Sequence, residues 1–359
     1  MKKTVLVMCF SSSNGGMEHD AIKLARLLGG VMQVSLFCKQ GSFIHQTQKG
    51  ADKNFVLEPI SFSSRTFSLS MLFQVRALLR KYDIDNVIFF GASELKTLYF
   101  AFLGFDINLL IRHGTTKSRP KTDWFHRLIY SRVNYHIALS RHLLANVKYI
   151  VPRTQESAYQ IIYPSFRLNH NESESMQSGH KKTLQITHVG RVVTGKGQLD
   201  VLNACHLLYD RGIKFRLNIL GELDDGDYAS EVKKRVNQSA FSSQVHLPGH
   251  VTNVADYLAE TDIFLFPSTG EGMPNAFIEA MHYNNVCIAY DNTVFPEFIE
   301  MGFYIHLVKN GDVKALAEKL LAVVMDIENE KLKSATNVAL VQQYFQPERE
   351  LAEWNSLLI

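Results

Sequence analysis

Residues 263–281 read IFLFPSTGEGMPNAFIEAM, and this stretch decides the fold. Its four apolar residues, 263–266, predict a short buried strand, and Pro274 predicts the first turn of a helix. The glycine-bracketed loop between them contains Glu271, whereas Glu279 falls within the helix. In parallel α/β sheets such a loop follows the carboxyl end of a strand, where helix amides face a ligand. The stretch therefore predicts one βα unit with a ligand site in its loop.

The same alternation of short apolar runs and helical patterns continues along the chain, which is typical of parallel βαβ units. We predict strands at residues 4–10, 32–37, 86–90, 108–112, 134–139, 159–163, 185–189, 215–220, 244–247, 263–266 and 286–290. The length of 359 residues indicates two domains. We therefore predict an α/β fold with two Rossmann-like, doubly wound domains that face each other across a cleft. The boundaries are 1–165 for the N-terminal domain, 166–182 for a polar linker and 183–340 for the C-terminal domain.

Composition excludes a disordered chain, because 46% of the residues are hydrophobic and 20% are charged. The four cysteines, Cys9, Cys38, Cys205 and Cys287, are far apart and form no C-x-x-C pair, so we expect neither a disulfide framework nor zinc. The first ten residues look like a signal peptide, but their apolar run ends at Ser11 and predicts a buried strand. No apolar stretch is long enough to span a bilayer. We expect a cytoplasmic protein with at most peripheral membrane association.

Two further glycine loops follow predicted strands. Gly15 and Gly16 precede a helical pattern, which suits a close approach to an anionic or sugar ligand but also suits a plain βα turn. Residues 190–197, GRVVTGKG, have the spacing of a nucleoside triphosphatase loop, but Gly197 stands where a magnesium-binding Ser or Thr is required. We therefore expect Arg191 and Lys196 to neutralise a diphosphate without a metal. The alternative is that both are ordinary surface cations.

The loop after the strand at 263–266 is the most specific of the three. We expect the backbone of Gly272, Met273, Pro274 and Asn275 to face phosphate or sugar oxygens. Two solvated glutamates beside an ordinary helix are the alternative. The acidic run 224–227 suggests a metal-binding Asp-x-Asp, but a solvated turn accounts for it better, and we expect no metal site.

These motifs together resemble the retaining glycosyltransferases of family 4, which have the GT-B architecture. Glu271 and Glu279 match the Glu-x7-Glu signature of that family, and 188–197, HVGRVVTGKG, looks like its diphosphate-binding segment. The stretch NGGMEHDAI resembles its N-terminal Gly-Gly-x-Glu loop, which contains Gly16, and His113 aligns with a histidine at the reaction centre.

The resemblance implies a metal-independent sugar transfer from a nucleotide sugar, with a UDP-sugar favoured and no cofactor. Glu279 would hold the ribose hydroxyls of the donor, and Glu271 would bind the transferred sugar. His113 would contact the sugar or the developing charge. A C-terminal helix over 341–359 would pack back on the first domain.

The chain departs from the family pattern at two places. The family usually has a glycine after the Glu-Ala-Met helix, and we expect Asn285 to take the left-handed conformation in its place. The loop 292–295 before Pro296 also lacks the usual glycine. Both departures bear on the identity of the donor.

The net charge of +3 conceals two different halves. Residues 1–180 contain 22 Lys and Arg against 12 Asp and Glu, which gives +10, and the remainder contains 16 against 23, which gives −7. In residues 112–132, cations are interleaved with the apolar residues Trp124, Phe125, Leu128 and Ile129. We assign five of these cations to an acceptor or membrane surface: Arg112, Lys117, Arg119, Lys121 and Arg127. This mixture suits an anionic membrane or glycolipid. The alternative is that the apolar residues pack on the sheet and the cations are solvated.

We expect the partners to be a nucleotide sugar, a glycolipid or oligosaccharide acceptor and an anionic membrane surface, with no nucleic acid. The acceptor would be a bacterial envelope polysaccharide or a lipopolysaccharide core. One alternative function is a GT-B nucleotide-sugar epimerase, which needs no acceptor. Another is a non-catalytic protein that binds anionic surfaces.

Overall fold

The computed structural model describes residues 3–50, 52–64, 66–91, 93–152, 157–166 and 183–359. Of the predicted linker, 166–182, all but Phe166 lies outside the described residues. The chain divides into two compact units, Met1–Ser165 with Pro347–Ile359, and Phe166–Gln346.

The described part of the first unit contains a seven-stranded parallel sheet in the order β3-β2-β1-β4-β5-β6-β7. Its strands are β1 (Thr4–Cys9), β2 (Gln33–Lys39), β3 (Val56–Ile60), β4 (Asn86–Phe90), β5 (Asn108–His113), β6 (Tyr135–Ala138) and β7 (Ala158–Ile161). Its helices up to that point are α1 (Gly16–Gly29), α2 (Phe43–Gln48), α3 (Leu69–Tyr82), α4 (Leu95–Ala101), α5 (Trp124–Tyr130) and α6 (Arg141–Ile150). Because β4 is buried along its whole length, its residues 87–90 read as the continuous apolar run that is typical of parallel sheets.

The described part of the second unit contains a six-stranded parallel sheet in the order β10-β9-β8-β11-β12-β13. Its strands are β8 (Leu184–Val189), β9 (Phe215–Leu220), β10 (Val245–Gly249), β11 (Ile263–Phe266), β12 (Val286–Asp291) and β13 (His306–Lys309). Its helices are α7 (Gln198–Asp210), α8 (Asp227–Gln238), α9 (Val254–Glu260), α10 (Asn275–His282), α11 (Phe295–Glu300), α12 (Val313–Met325), α13 (Ile327–Ser334) and α14 (Thr336–Tyr344). In both sheets the strand order reverses beside the first strand of the unit, which is where ligands bind in doubly wound folds.

The last helix belongs to the first unit. Helix α15 (Pro347–Leu357) buries Trp354 and Leu357 in the core on one face of the first sheet. The predicted helix over 341–359 is wrong at its start, because Val341 to Tyr344 end α14 and that helix lies in the second unit. Pro347 begins a new helix, since proline has no N–H for an intrahelical bond and fits only the first turn.

Two strands and one turn residue differ from the predictions. The unpredicted strands are β3 and β13, and each lies at an edge of its sheet. The left-handed residue after α10 is Asn284, with φ of 56°, and not Asn285. Asn285 is instead fully buried, and its side-chain amide donates to the carbonyl oxygens of Leu258 and Thr261 at 2.9 and 3.0 Å.

Candidate active site

An ion pair lies where the two central loops of the second unit meet. Lys196 Nζ lies 2.6 Å from Glu271 Oε1, and their side chains are 27% and 11% exposed. The Ser268 hydroxyl also donates to Glu271 Oε1 at 2.6 Å. Lys196 follows β8 and Glu271 follows β11, so the pair lies at the point where the strand order of this sheet reverses. The predicted diphosphate-binding cation and the predicted sugar-binding carboxylate are therefore in direct contact.

Backbone contacts hold the two loops together. The Thr269 N–H donates to the Gly195 carbonyl oxygen at 2.9 Å. Gly197 has φ of +80°, and a Cβ on it would lie 2.2 Å from the Pro267 carbonyl oxygen. Only glycine fits this approach of backbone to backbone. This contact explains why no Ser or Thr follows Lys196, as a nucleoside triphosphatase loop would require.

His188 is a residue of this site that sequence reasoning missed. Its Nδ1 lies 2.9 Å from the Leu265 carbonyl oxygen, so Nδ1 carries the proton and Nε2 is an acceptor. A Cβ on Gly190 would lie 3.6 Å from this Nε2, which shows that the imidazole faces the start of the glycine loop. Burial lowers the pKa of His188 to about 4, and the imidazole is therefore neutral. A histidine near the end of a strand, two residues before a glycine loop, was the available signal.

The other predicted donor-binding residues lie on the same two loops. Arg191 is exposed, and the buried Gln198 side chain donates to its carbonyl oxygen at 3.0 Å. Glu271 lies in the loop and Glu279 lies in α10, as the sequence spacing predicts. Met273 is buried, whereas Gly272 is half-buried and Asn275 is exposed.

Pro274 is not in the first turn of α10, which corrects the prediction. It precedes Asn275 with φ of −84° and ψ of 99°, and this extended conformation places it just outside the helix. The Phe277 N–H donates to its carbonyl oxygen at 3.1 Å. The backbone N–H groups at the start of α10 come from Asn275 onward, because proline carries none.

Gly16 and His113 lie in the first unit. Gly16 is the first residue of α1, after β1, and a Cβ on it would meet open space. His113 ends β5 and is buried, with Nε2 3.1 Å from His136 Nδ1. Burial holds the pKa of His113 well below its usual range, and His136, Lys117 and Lys121 lower it further.

The predicted basic surface separates into three environments. Arg112 is only 3% exposed, which corrects its assignment to an acceptor or membrane surface. It lies on β5, donates from Nε to Asp20 Oδ2 at 2.7 Å and places Nη2 3.5 Å from Glu350 Oε1. The Trp354 ring lies 5.5 Å from its guanidinium carbon. Arg112 therefore neutralises buried carboxylates and fastens α15 to the first unit.

Lys117 and Lys121 are half-buried at the carboxyl end of the same sheet. Burial lowers the pKa of both, and the pKa of Lys121 falls to about 8 because Lys117 and Lys96 add their charge to the effect of burial. Lys121 Nζ also donates to the Tyr130 hydroxyl at 2.7 Å. These two lysines face the protein rather than bulk solvent.

Arg119 and Arg127 are exposed, and the segment that contains them also carries exposed apolar residues. Trp124, at the start of α5, is 75% exposed, and Phe125 stacks on the exposed Phe67 with ring centroids 5.7 Å apart. The exposed face of α3 also presents Leu69 and Phe73 to solvent, whereas Ile129 of α5 is buried in the core. The mixed basic and aromatic surface therefore includes residues outside the predicted segment.

Clusters of metal ligands and helices that could span a membrane are both absent from the described residues. Within the ranges that the structure describes, His, Cys, Asp and Glu side chains form no group of three or more that could hold a metal ion. The acidic run 224–227 is exposed, and the Asp225 N–H donates to Asp224 Oδ1 at 2.9 Å. Among the helices in the described part of the chain, none is both long and apolar enough to cross a membrane.

The known proteins to which this chain is similar include proteins named as glycosyltransferases of polysaccharide synthesis. Residues 183–326 match the family model "Glycosyl transferases group 1". The chain is 28% identical over 147 residues to the capsular polysaccharide biosynthesis glycosyltransferase CapH of Staphylococcus aureus, covering 41% of this chain and 40% of the relative. It is 32% identical over 147 residues to the putative colanic acid biosynthesis glycosyltransferase WcaL of Escherichia coli, covering 39% and 36%. The alignments thus span well under half the length of these curated relatives.

Solved structures match over nearly the whole chain. HepE of Anabaena in complex with UDP has a TM-score of 0.83 at 17% identity and covers 99% of both chains. TarM has a TM-score of 0.77 at 13% identity and covers 99% of this chain and 98% of its own. The solved structures show that this chain has the GT-B fold, and the match to "Glycosyl transferases group 1" covers residues 183–326 of its second unit.

Proposed function

We propose that this chain is a glycosyltransferase that moves a sugar from a nucleotide-sugar donor to a glycan or glycolipid acceptor in bacterial envelope polysaccharide synthesis. The proposal includes retention of anomeric configuration and independence from a metal ion. The observation that carries it is the Lys196–Glu271 ion pair at the strand-order reversal of the second sheet.

The Lys196–Glu271 pair suits the two groups that part in sugar transfer, the leaving diphosphate and the transferred sugar. The leaving diphosphate gains negative charge in the transition state, and a preorganised cation stabilises it without reorganisation. Lys196 is the half-exposed cation at this site, and Arg191 adds a second on the same loop. When a diphosphate binds Lys196, it competes with Glu271 for the ammonium group. The carboxylate is then available to accept a hydrogen bond from the transferred sugar.

The remaining roles follow the resemblance to family 4. Glu279 on α10 would hold the ribose hydroxyls, and His113 would contact the sugar or the developing charge, as the resemblance implies. Retention would proceed on the front face of the sugar, with the leaving phosphate taking the proton of the acceptor. No covalent nucleophile is then required, and the two cations replace a metal ion.

The names of relatives guide the choice of donor and acceptor. HepE is described in complex with UDP-glucose and a TarM mutant in complex with UDP, which supports a UDP-sugar. The amylovoran biosynthesis glycosyltransferase AmsK of Erwinia amylovora adds a third exopolysaccharide system to those of CapH and WcaL. A lipopolysaccharide outer core galactosyltransferase, WaaB, shares the fold at a TM-score of 0.71. We infer an acceptor of this class.

We further propose that the protein works in the cytoplasm and associates with the inner leaflet through the first unit. Arg119, Arg127 and Trp124 support this proposal, since exposed cations and an exposed indole in one segment favour an anionic lipid surface. The half-buried Lys117 and Lys121 are better placed to bind an anionic group of the acceptor.

Ligand-observed NMR with a panel of UDP-, GDP- and ADP-sugars is the first test. We expect binding of a UDP-sugar without added metal, followed by transfer to a lipid-linked or oligosaccharide acceptor with retained configuration. Turnover of the donor to an isomer without any acceptor would instead identify an epimerase. Binding of inorganic phosphate with no sugar transfer under any condition would identify a non-catalytic binding protein.

A further inference from the structure

His113 and His136 form a hydrogen-bonded pair inside the first unit. Strands β5 and β6 pair in a register that sets Ile111 opposite His136, so the side chains of His113 and His136 point to the same face of the sheet. The distance of 3.1 Å between His113 Nε2 and His136 Nδ1 means that one of these nitrogens carries the proton and the other accepts it.

His136 is held rigidly in this pair. Its ring lies between two tyrosines, with centroids 5.1 Å from Tyr159 and 5.8 Å from Tyr130 and interplanar angles of 25° and 29°. The residue is fully buried at 0% exposure. Stacking against both tyrosine rings in a fully buried position restrains the imidazole beside His113.

Both imidazoles are neutral near pH 7. Burial lowers the pKa of His136 to about 4, and it lowers the pKa of His113 well below its usual value. The neighbouring Lys117 and Lys121 add positive charge that opposes protonation of His113. The pair therefore contains two protons in total, one on each ring.

The buried Nε2 of His136 distinguishes the two possible arrangements. It has no hydrogen-bond partner among the residues that the structure describes. If His113 donated to His136, the proton of His136 would lie on this Nε2 as a buried, unpaired N–H. Such groups are rare because burial removes the water that would otherwise pair with the N–H. If His136 donates to His113, Nε2 is a bare lone pair, which is the less costly group to leave unpaired.

We propose that His136 is a positioning residue that donates from Nδ1 to His113 and fixes His113 as its Nδ1–H tautomer. His113 then acts as a hydrogen-bond donor through Nδ1–H and cannot accept a proton, because its Nε2 lone pair is already occupied. The tautomer follows from the pair itself, whereas its use in sugar transfer rests on the proposed function. An N–H donor suits a sugar oxygen or a developing negative charge.

Long-range 1H–15N correlation NMR on histidine-labelled protein without substrate measures this directly. We expect both rings to be protonated on Nδ1 and unprotonated on Nε2 from about pH 8 to about pH 6. The His113→Asn and His136→Asn variants assign the signals. A proton on Nε2 of His113, or charging of either ring within this range, would overturn the proposal.

Two variants separate positioning from packing. His136→Phe keeps an aromatic ring between the tyrosines but removes the donor, and we expect His113 to lose its single tautomer. His136→Asn supplies an amide N–H near the position of Nδ1, and we expect it to retain the Nδ1–H form of His113. His206→Phe, on the exposed face of α7, is the matched control and leaves the His113 signals unchanged. An unchanged His113 tautomer in His136→Phe contradicts the proposal, and if that variant does not fold, the wild type and His136→Asn still decide.

Transfer kinetics then test the use of the tautomer. With the UDP-, GDP- or ADP-sugar that the panel identifies, we expect His136→Phe to lower kcat roughly tenfold with the KM for donor unchanged, and His136→Asn to restore most of it. If no nucleotide sugar turns over, the proposed function fails while the NMR result stands. If transfer proceeds and His113 carries its proton on Nε2, only the present inference fails.

Discussion

Arg112 in the first unit and Lys196 in the second are both cations beside carboxylates at the carboxyl end of a strand, but their surroundings differ. The Arg112 side chain is 1% exposed and contacts two carboxylates that are themselves buried or nearly so. The Lys196 side chain is 27% exposed and its partner Glu271 lies in a loop. The buried cation is part of the fold, whereas the half-exposed one is free to exchange its partner for a ligand.

The energetics of burial explain this division. A charge removed from water is stabilised only while its partners remain in place, and loss of one partner leaves the others unpaired at a cost of about 3–5 kcal/mol. A half-exposed pair is screened by solvent and contributes much less to stability. Basic residues that look alike in sequence should therefore separate into those that change stability and those that change activity.

Arg112→Met gives the largest expected effect. It removes the guanidinium shared by Asp20 and Glu350, so Asp20 keeps only Lys23 as a cationic neighbour and the buried Glu350 loses its arginine, and we expect the first unit to lose about 3–5 kcal/mol of unfolding free energy. Both tryptophans of the chain, Trp124 and Trp354, lie in the first unit. A Trp124→Phe background therefore makes the buried Trp354 the only fluorescent tryptophan, and urea unfolding followed at Trp354 measures the first unit alone.

Lys314→Met is the control for that experiment, and its unfolding is followed by circular dichroism because Lys314 lies in the second unit. The Lys314 side chain is 87% exposed, and its Nζ lies 3.8 Å from Glu318 Oε1 on α12. Lys314 and Glu318 therefore form an exposed ion pair rather than a buried one. We expect a change within about 0.5 kcal/mol. A loss of less than 1 kcal/mol in Arg112→Met would contradict the buried-network interpretation.

Lys196→Ala should show the opposite behaviour. We expect transfer to fall about 10²- to 10³-fold, the usual cost of removing one preorganised group that stabilises developing charge. Glu271 can still accept from Ser268 and remains partly hydrated, so the urea midpoint should stay within about 1 kcal/mol of the wild type. Initial rates with the identified nucleotide sugar and urea unfolding monitored by circular dichroism provide the two readouts.

The surface variant Lys314→Ala again serves as control, with normal rate and normal stability. Glu271→Ala should lose transfer to a similar degree and also fold normally. Near-normal turnover by either site variant would contradict the assignment of Lys196 and Glu271 to the reaction.

The same difference in burial shows what the sequence can and cannot predict. Strands inside the sheets are predictable because full burial makes them continuous apolar runs. The edge strands β3 and β13 escape prediction, since β3 contains Glu58 and Pro59, and β13, HLVK, has a single buried residue between polar ends. Glycine loops and the spacing of Glu271 and Glu279 are local patterns, so the sequence places them on loop and helix correctly.

Tertiary partners are the part that local patterns do not encode. Arg112 appears in the sequence as one of six cations in 112–132, and only the fold brings Asp20 and Glu350 against it. His136 likewise has no motif around it, and its role depends on the register of β5 with β6. Long-range pairing decides which of several similar residues is buried.

Acid should destabilise the protein through the buried histidines before it affects the carboxylates. The folded pKa of His136 is about 4, below the usual 6.5, so between these values the unfolded chain binds protons that the folded chain does not. Stability therefore falls as the pH drops from 6.5 to 4, by up to about 1.4 kcal/mol per pH unit for each such group. Asp20, whose pKa is lowered below 3.8 because Arg112 and Lys23 outweigh the effect of burial, contributes only at lower pH.

The measurement is urea unfolding at several pH values, followed at Trp354 in the Trp124→Phe background. His136→Phe should show a shallower decline between pH 6.5 and 4. His19→Phe, which replaces an exposed histidine of the same unit, should keep the wild-type slope. A slope in His136→Phe equal to that of the wild type would show that His136 is already charged in the folded state.

The smallest expected effect compares Arg112 with an exposed arginine of the same segment. Arg127 lies on α5 beside Trp124, and an exposed cation near an anionic bilayer contributes about 1 kcal/mol. Arg127→Ala should therefore bind phosphatidylglycerol-containing vesicles roughly fivefold more weakly, with unchanged stability, and Arg119→Ala should behave alike. Arg211→Ala, an exposed arginine of the second unit, is the control and should bind normally.

Arg112→Met decides whether burial or sequence position governs the vesicle affinity. Under conditions where it is still folded, its affinity should equal that of the wild type, because its guanidinium never reaches the lipid. Equal binding of the wild type to anionic and neutral vesicles would remove the membrane proposal while leaving the glycosyltransferase proposal intact. An equal loss of vesicle affinity in Arg112→Met and Arg127→Ala would mean that the membrane-binding surface depends on the buried ion pairs of Arg112. Stability and membrane binding would then not be separate properties of residues 112–132.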